Sequence, residues 1–114
     1  MSPSIYKILT PEQWQAALER DVFEGAPVDL ADGYIHFSTR QQVEETAAKH
    51  FKGKGALILV SFNAGNFGDN LKWEPSRGGD LFPHLYAKLD PKLAVKVHDL
   101  QMKKDGSHHF PEEY

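Results

Sequence analysis

The chain has 114 residues, no cysteine, and 16 acidic against 13 basic side chains, for a formal charge of −3. This length fits one domain, residues 1–114, with a core that needs no cross-links. The lack of cysteine excludes disulfides, thiolate metal sites and a thiol nucleophile. The net charge disfavours nucleic acid as a partner, since binding it requires a basic surface. Without a membrane-length apolar run or a secretory pattern, we expect a cytoplasmic protein with no membrane role.

The first elements are a strand and a capped helix. Apolar residues over 5–9 predict a short strand. Thr10, followed by Pro11 and then Gln13, is typical of a helix start with a capping box. Apolar residues at helical spacing then predict the buried stripe of this helix. They are Trp14, Ala17 and Leu18.

A structured loop and a second strand and helix follow. Residues 21–33 show no period and contain turn residues, so we predict a loop. Residues 34–38 alternate, which predicts a strand with Ile35 and Phe37 on one face. Tyr34, His36 and Ser38 then share the other face. Ser38 or Thr39, with Gln42, predicts the cap of the next helix. The predicted apolar face of that helix is Val43, Ala47, His50 and Phe51.

The rest of the chain is rich in strand signals. The apolar run 56–62 predicts a central strand that is covered on both faces. Further strands are predicted at 71–74, 84–89 and 94–100. Helices early and strands late indicate an α+β domain with a core over about 5–100. Residues 101–114 show no apolar period, so we expect a loosely held tail.

The segment 72–86 concentrates side chains that can carry chemistry around a Gly78-Gly79 pair. Glycines let a backbone pass close to a ligand. Arg77 can make paired hydrogen bonds to a phosphate. Glu74 can bind a sugar hydroxyl while the neighbouring Trp73 stacks on a heterocycle. The alternatives are an exposed Glu74 beside a core Trp73, and an Arg77 neutralised by Asp80.

Two predicted strands each present a histidine and a second polar group on one face. These pairs are His36 with Ser38, and His84 with Tyr86. Histidine can act as acid or base near neutral pH, so the repeated pattern favours one shared cleft. The alternatives are a polar outer face and a Ser38 that only caps a helix.

Six histidines also raise the question of a metal site. No pair has the helical i, i+4 spacing with an acid between that zinc hydrolases use, and we predict no metal ligands. No nucleophile elbow is present. A metal-dependent hydrolase that uses His36, His84 and a carboxylate stays as a second alternative.

Several stretches of the chain together resemble a known family. They are residues 5–10, 29–39, 71–79 and 82–86. The family is the bacterial and plant group called domain of unknown function 952, and the resemblance covers about residues 5–100. It is grouped with ADP-ribosyltransferase-like folds. The resemblance therefore implies two small, mostly antiparallel sheets, with a cleft between them for NAD or an ADP-ribose-like ligand.

The resemblance also implies roles for individual residues. In that superfamily a strand–Ser–helix unit forms one wall of the cleft, and residues 34–51 look like this unit. A basic residue holds the nicotinamide ribose, a role open to Lys7 or His36. An acid steers ribosyl transfer, a role open to Glu74.

The remaining implied roles concern binding. Trp73 or Tyr86 can stack on nicotinamide, and Arg77 can hold pyrophosphate. The predicted catalytic residues are thus His36, Glu74 and His84. The predicted ligand-binding residues are Lys7, Ser38, Trp73, Arg77, Gly78, Gly79 and Tyr86. The implied activity is transfer or hydrolysis of ADP-ribose with NAD as substrate. The first alternative is a module that binds a nucleotide or small metabolite without chemistry.

Overall fold

The computed structural model describes residues 2–114, apart from the side chain of Arg77. The helices and strands are β1 (Ser4–Leu9), α1 (Pro11–Arg20), α2 (Pro27–Asp32), β2 (Ile35–His36), α3 (Val43–His50), β3 (Leu57–Asn63), β4 (Leu71–Pro75), β5 (Leu81–Leu85) and β6 (Lys96–Leu100). Short 3-10 helices span Ala64–Asn70, Arg77–Gly79 and Pro91–Leu93. Over residues 2–114, no helix has both the length and the apolar character needed to cross a bilayer.

The strands form two three-stranded antiparallel sheets, in the orders β1-β3-β6 and β2-β5-β4. This confirms the predicted α+β class and the two antiparallel sheets. Backbone hydrogen bonds join the two sheets where the Tyr6 amide donates to the Ser38 carbonyl at 2.8 Å and the Ser38 amide donates to the Tyr6 carbonyl at 2.9 Å. The last residues of the predicted strand 34–38 therefore lie against β1.

The core lies on both faces of β3, the middle strand of its sheet. Ile58, Val60 and Phe62 pack in one buried cluster, and Leu57 and Leu59 pack in another. Alternate residues of a strand point to opposite faces, so a strand covered twice must be apolar throughout. The prediction of a central strand over 56–62 is confirmed.

Helix α1 begins as predicted. The Thr10 hydroxyl accepts from the Gln13 amide at 3.1 Å, and the Gln13 side chain accepts from the Thr10 amide at 3.0 Å. Trp14 and Ala17 are buried, but Leu18 is 46% exposed, so its predicted burial is wrong. Successive residues of a helix are turned by about 100°, and the face shared by Trp14 and Ala17 leaves Leu18 at its edge.

Several predicted boundaries are corrected. The segment 21–33 contains the six-residue helix α2, too short to show a period. Helix α3 begins at Val43, later than the predicted cap at Ser38 or Thr39, although the Thr39 amide does donate to the Gln42 side chain at 3.0 Å. His50, predicted on the apolar face, is exposed.

Strand β5 starts at Leu81 and ends at Leu85, earlier than the predicted 84–89. Pro83 lies inside this central strand, where proline is normally excluded because it cannot donate to the ladder. The register of the sheet is unaffected, since Pro83 pairs with Trp73. The prediction placed the strand after the proline and so moved its start.

The C-terminal residues pack on the domain, so the expected loosely held tail is wrong. The His108 ring lies 2.7 Å from the Gly55 carbonyl, and the Gly106 carbonyl accepts from Gly53 at 2.8 Å. The Tyr114 ring meets Tyr6 edge-on with centroids 5.5 Å apart. These contacts join residues far apart in sequence, and no local period reveals them.

Replacing Tyr114 by alanine should lower the free energy of unfolding by about 1–2 kcal/mol, from the lost aromatic pair and the lost stacking of Arg40. The Arg40 guanidinium lies 3.7 Å from the centre of the Tyr114 ring. Urea denaturation of Tyr114→Ala beside the exposed Glu113→Ala measures the difference. Equal stability of the two variants would mean that the terminal ring adds nothing to the fold.

Candidate functional site

A cleft of about 590 Å³ opens beside β1, β2 and β5, with α2 and α3 on its sides. Clefts of about 300–1,000 Å³ are typical of small-molecule sites. Four of the predicted site residues line the cleft: Lys7, Ser38, His36 and His84. Residues from distant parts of the chain thus converge on one hollow.

The two histidines are brought together by the pairing of β2 with β5. His36 stands opposite His84 in this register. Residues directly opposite in an antiparallel pair share a face. The ring centroids are 5.5 Å apart, and both side chains line the cleft.

Asp29 of α2 lies behind His36 and is 1% exposed. Its carboxylate accepts from the Lys7 ammonium at 2.9 and 3.1 Å. It also accepts from the His36 Nδ1 at 2.6 Å and from the His36 and Ala26 amides at 3.1 and 2.8 Å. One carboxylate therefore joins β1, α2 and β2 and fixes the wall that carries His36.

In the Lys7–Asp29 pair, burial and the partner's charge act in opposite directions on the pKa of each group. Burial by itself would raise the pKa of Asp29, but the hydrogen bond from His36 and the charge of Lys7 lower it to about 2. Burial lowers the pKa of Lys7, and the attraction of Asp29 opposes this change. Asp29 is ionised at neutral pH and serves as the counter-charge for a cation that has little access to water.

His36 has a carboxylate at each ring nitrogen. Its Nε2 lies 2.9 Å from Asp32, which is 45% exposed, while its Nδ1 is bound to Asp29. Carboxylates only accept, so a proton on either ring nitrogen is donated to one of these acids. The two contacts hold His36 in the cleft wall.

His84 has a different environment, made by β4 and the residue after β5. Its Nδ1 lies 2.8 Å from Glu74 Oε1, and the Tyr86 hydroxyl donates to the same oxygen at 2.7 Å. The hydrogen bonds from Tyr86 and His84 lower the pKa of Glu74. The bond to Glu74 raises the pKa of Tyr86 to about 12. Tyr34 stacks on the His84 ring, with centroids 4.1 Å apart and planes at 28°.

The other predicted site residues lie in different places. Ser38 is buried and donates to the Thr46 hydroxyl at 3.2 Å. Trp73 faces Pro83 on the opposite side of the sheet from His84. Gly78 and Gly79 form a turn with φ of 68° and 83°, which favours glycine whether or not a ligand approaches. The side chain of Arg77 lies outside the described residues.

Sequence reasoning missed three residues of this site, namely Asp29, Asp32 and Tyr34. A signal for Asp29 was present. Pro27 suits the first position of a helix, and an acid two residues later, at Asp29, can accept from the amide of the N-cap residue Ala26. The alternation over 34–38 placed Tyr34 on the face of His36 and Ser38, but its stacking on His84 depends on the pairing of β2 with β5. Asp32 lies four residues before His36, and no local pattern indicated their contact.

The described side chains include no group of three or more His, Asp or Glu placed to hold a metal ion. The nitrogens of His36 are already bound to Asp29 and Asp32, and Nδ1 of His84 to Glu74. Each of these three nitrogens is thus part of a carboxylate–histidine pair.

Comparison with known proteins places the chain in a family. Residues 8–97 match the family described as protein of unknown function (DUF952), and the chain belongs to it. The resemblance to this family that the sequence indicated is confirmed.

The chain is also similar to solved structures of protein CC0527 from Caulobacter crescentus. The crystal structure is 47% identical, covers 93% of each chain and has a TM-score of 0.90. The solution NMR structure is 48% identical, covers 91% of this chain and 90% of that one, and has a TM-score of 0.82. No curated protein matches.

Proposed function

We propose that the cleft binds NAD or an ADP-ribose-like ligand and that the protein transfers or hydrolyses ADP-ribose in a fold of the ADP-ribosyltransferase type. The observation that carries this proposal is the meeting of His36 and His84 in one cleft, with ring centroids 5.5 Å apart. The strand–Ser–helix segment that the superfamily uses as a cleft wall supplies His36 and Ser38 on this side.

The chemistry of the lining suits a dinucleotide. Aromatic and aliphatic surface from Phe51, Phe82 and Pro27 can hold a flat heterocycle. Ser38 and Asp32 can bind ribose hydroxyls. Cleavage of the nicotinamide–ribose bond builds oxocarbenium-like charge on the sugar, which a nearby carboxylate stabilises. Asp32 belongs to the described lining and Glu74 does not, so we assign this role to Asp32.

A second candidate function is a nucleotide-binding module without catalysis. One observation favours it: the oxygen of Glu74 that sequence reasoning assigned to the ribose already accepts from His84 and Tyr86. A cleft whose polar groups are paired with one another can hold a ligand by shape and stacking alone.

Incubation with NAD separates the two functions. For the enzyme we expect nicotinamide release, measured by chromatography, and a loss of about 100-fold in His36→Ala, because the wall that positions the ligand is removed. Its matched control is His109→Ala, which removes an exposed histidine far along the chain.

The binding module predicts a higher melting temperature without release, since ligand at 100 times its Kd adds about 2.7 kcal/mol to stability. No melting shift with NAD or ADP-ribose at millimolar concentration would contradict both functions.

A further inference from the structure

We propose that His84 is the proton acceptor of the cleft, held in one tautomer by Glu74, and that the acceptor substrate is therefore an oxygen nucleophile, either water or a hydroxyl group. This inference rests on the proposed function and names the substrate class that the same site would activate. Glu74 then acts through His84 and is a positioning residue, in contrast to the catalytic role that the sequence suggested.

The tautomer follows from the partner of Nδ1. An ionised carboxylate has no proton to donate, so the 2.8 Å contact between His84 Nδ1 and Glu74 Oε1 requires the proton to be on Nδ1. In the neutral ring this leaves the lone pair on Nε2. Since His84 lines the cleft, Nε2 is the nitrogen that can accept a proton from a bound group.

Two tyrosines fix the position of this pair. The Tyr86 hydroxyl donates to the same Glu74 oxygen at 2.7 Å and holds the carboxylate in place. Tyr34 stacks on the ring at 4.1 Å and restricts its rotation. The side chain of His84 is only 4% exposed, so its orientation is set by these neighbours and little by water.

The neighbouring histidine cannot perform the same task. Both nitrogens of His36 are bound to carboxylates, Asp29 on one side and Asp32 on the other. To accept a proton from a ligand, His36 would first have to break one of these contacts. The two imidazoles thus have separate roles: His36 is a fixed polar wall, and His84 is the base.

The step is a displacement at C1′ of the nicotinamide ribose. The oxygen of water or of a hydroxyl group forms a bond to C1′ of the nicotinamide ribose while its proton moves to Nε2 of His84. The bond from C1′ to the nicotinamide nitrogen breaks, and its electron pair stays on that nitrogen, so the cationic ring leaves as neutral nicotinamide. No other reactant is needed.

Imidazole ¹⁵N NMR tests the tautomer without reference to activity. In the wild-type protein, when the ring is neutral, we expect His84 to show a protonated Nδ1 and an unprotonated Nε2. In Glu74→Gln the Nε2–H form should gain population, because the amide can donate as well as accept. A wild-type His84 that is protonated on Nε2 would overturn the inference even if NAD were consumed.

Kinetics test the positioning role of Glu74. We expect Glu74→Gln to lower kcat for nicotinamide release about 10-fold or more with KM nearly unchanged, and His84→Ala to lower it about 100-fold or more. The control is Glu12→Gln, an exposed acid in the first turn of α1. Full kcat in His84→Ala would overturn the acceptor role. Absence of release in the wild-type protein would overturn the proposed function and the acceptor role together. The NMR experiment tests the tautomer of His84 independently of this outcome.

Discussion

Asp29→Asn should lower the free energy of unfolding by about 3–5 kcal/mol, the typical cost of removing one partner from a buried ion pair. The substitution keeps the size of the side chain and leaves an oxygen for the Ala26 amide. It removes the charge that Lys7 and His36 face in a site that is 1% exposed. Urea denaturation measures the loss.

A double-mutant cycle with Lys7→Met identifies the cause. Once the buried ammonium is gone, the asparagine no longer leaves an unpaired cation, so the double variant should be more stable than the sum of the single losses indicates. Asp32→Asn is the matched control. This carboxylate also pairs with His36, but it is half-exposed to water, so its loss should cost little stability. Additive losses, or a loss as small as that of Asp32→Asn, would mean that the pair does not anchor β1 to α2.

Acid should weaken the wild-type protein through Asp29. The pKa of this carboxyl is about 2 in the folded protein and 3.8 for a free side chain. The unfolded state therefore binds more protons between these values, and stability falls as the pH falls through them. The contribution is fully present above about pH 4 and amounts to about 2 kcal/mol, which is lost near pH 2.

The Lys7→Met/Asp29→Asn variant provides the reference for this measurement, since it keeps the other acids that also titrate. We expect the stability difference between the wild-type protein and this variant to change by about 2 kcal/mol in favour of the variant from pH 5 to pH 2. Urea unfolding at half-unit pH steps gives the curve. A difference that stays constant over this range would show that Asp29 titrates normally in the fold.

Local signals predicted the parts of the fold that depend on neighbours in sequence. The capping box at Thr10 and Gln13 is visible because its two partners are three residues apart. The central position of β3 is visible because both faces of a strand must be apolar to be buried twice. The alternation over 34–38 likewise placed Ile35 and Phe37 in the core.

Contacts between distant segments were the ones that sequence could not supply. The packing of Tyr114 on Tyr6 joins residues at the two ends of the chain. Strand β5 contains Pro83. Proline is normally excluded from central strands, so the sequence alone does not predict a strand through this position.

In the candidate site too, local patterns were predictable from the sequence and contacts between distant segments were not. The period of two placed His36 and His84 each on a polar face, but the register of β2 on β5 was needed to bring the rings within 5.5 Å. The carboxylates were the harder part. Glu74 was read as a ligand for sugar, and the structure pairs it with His84 and Tyr86. Asp29, the most connected acid near the cleft, was assigned no role at all.

The most direct test of the shared cleft follows the imidazole signals of all histidines by NMR while NAD or ADP-ribose is added. We expect the signals of His36 and His84 to move together along one saturating curve, with His109, exposed in the C-terminal segment, as the unmoved reference. Signals of His36 and His84 that stay fixed at millimolar ligand, or that follow two different curves, would contradict a single binding site formed by both strands.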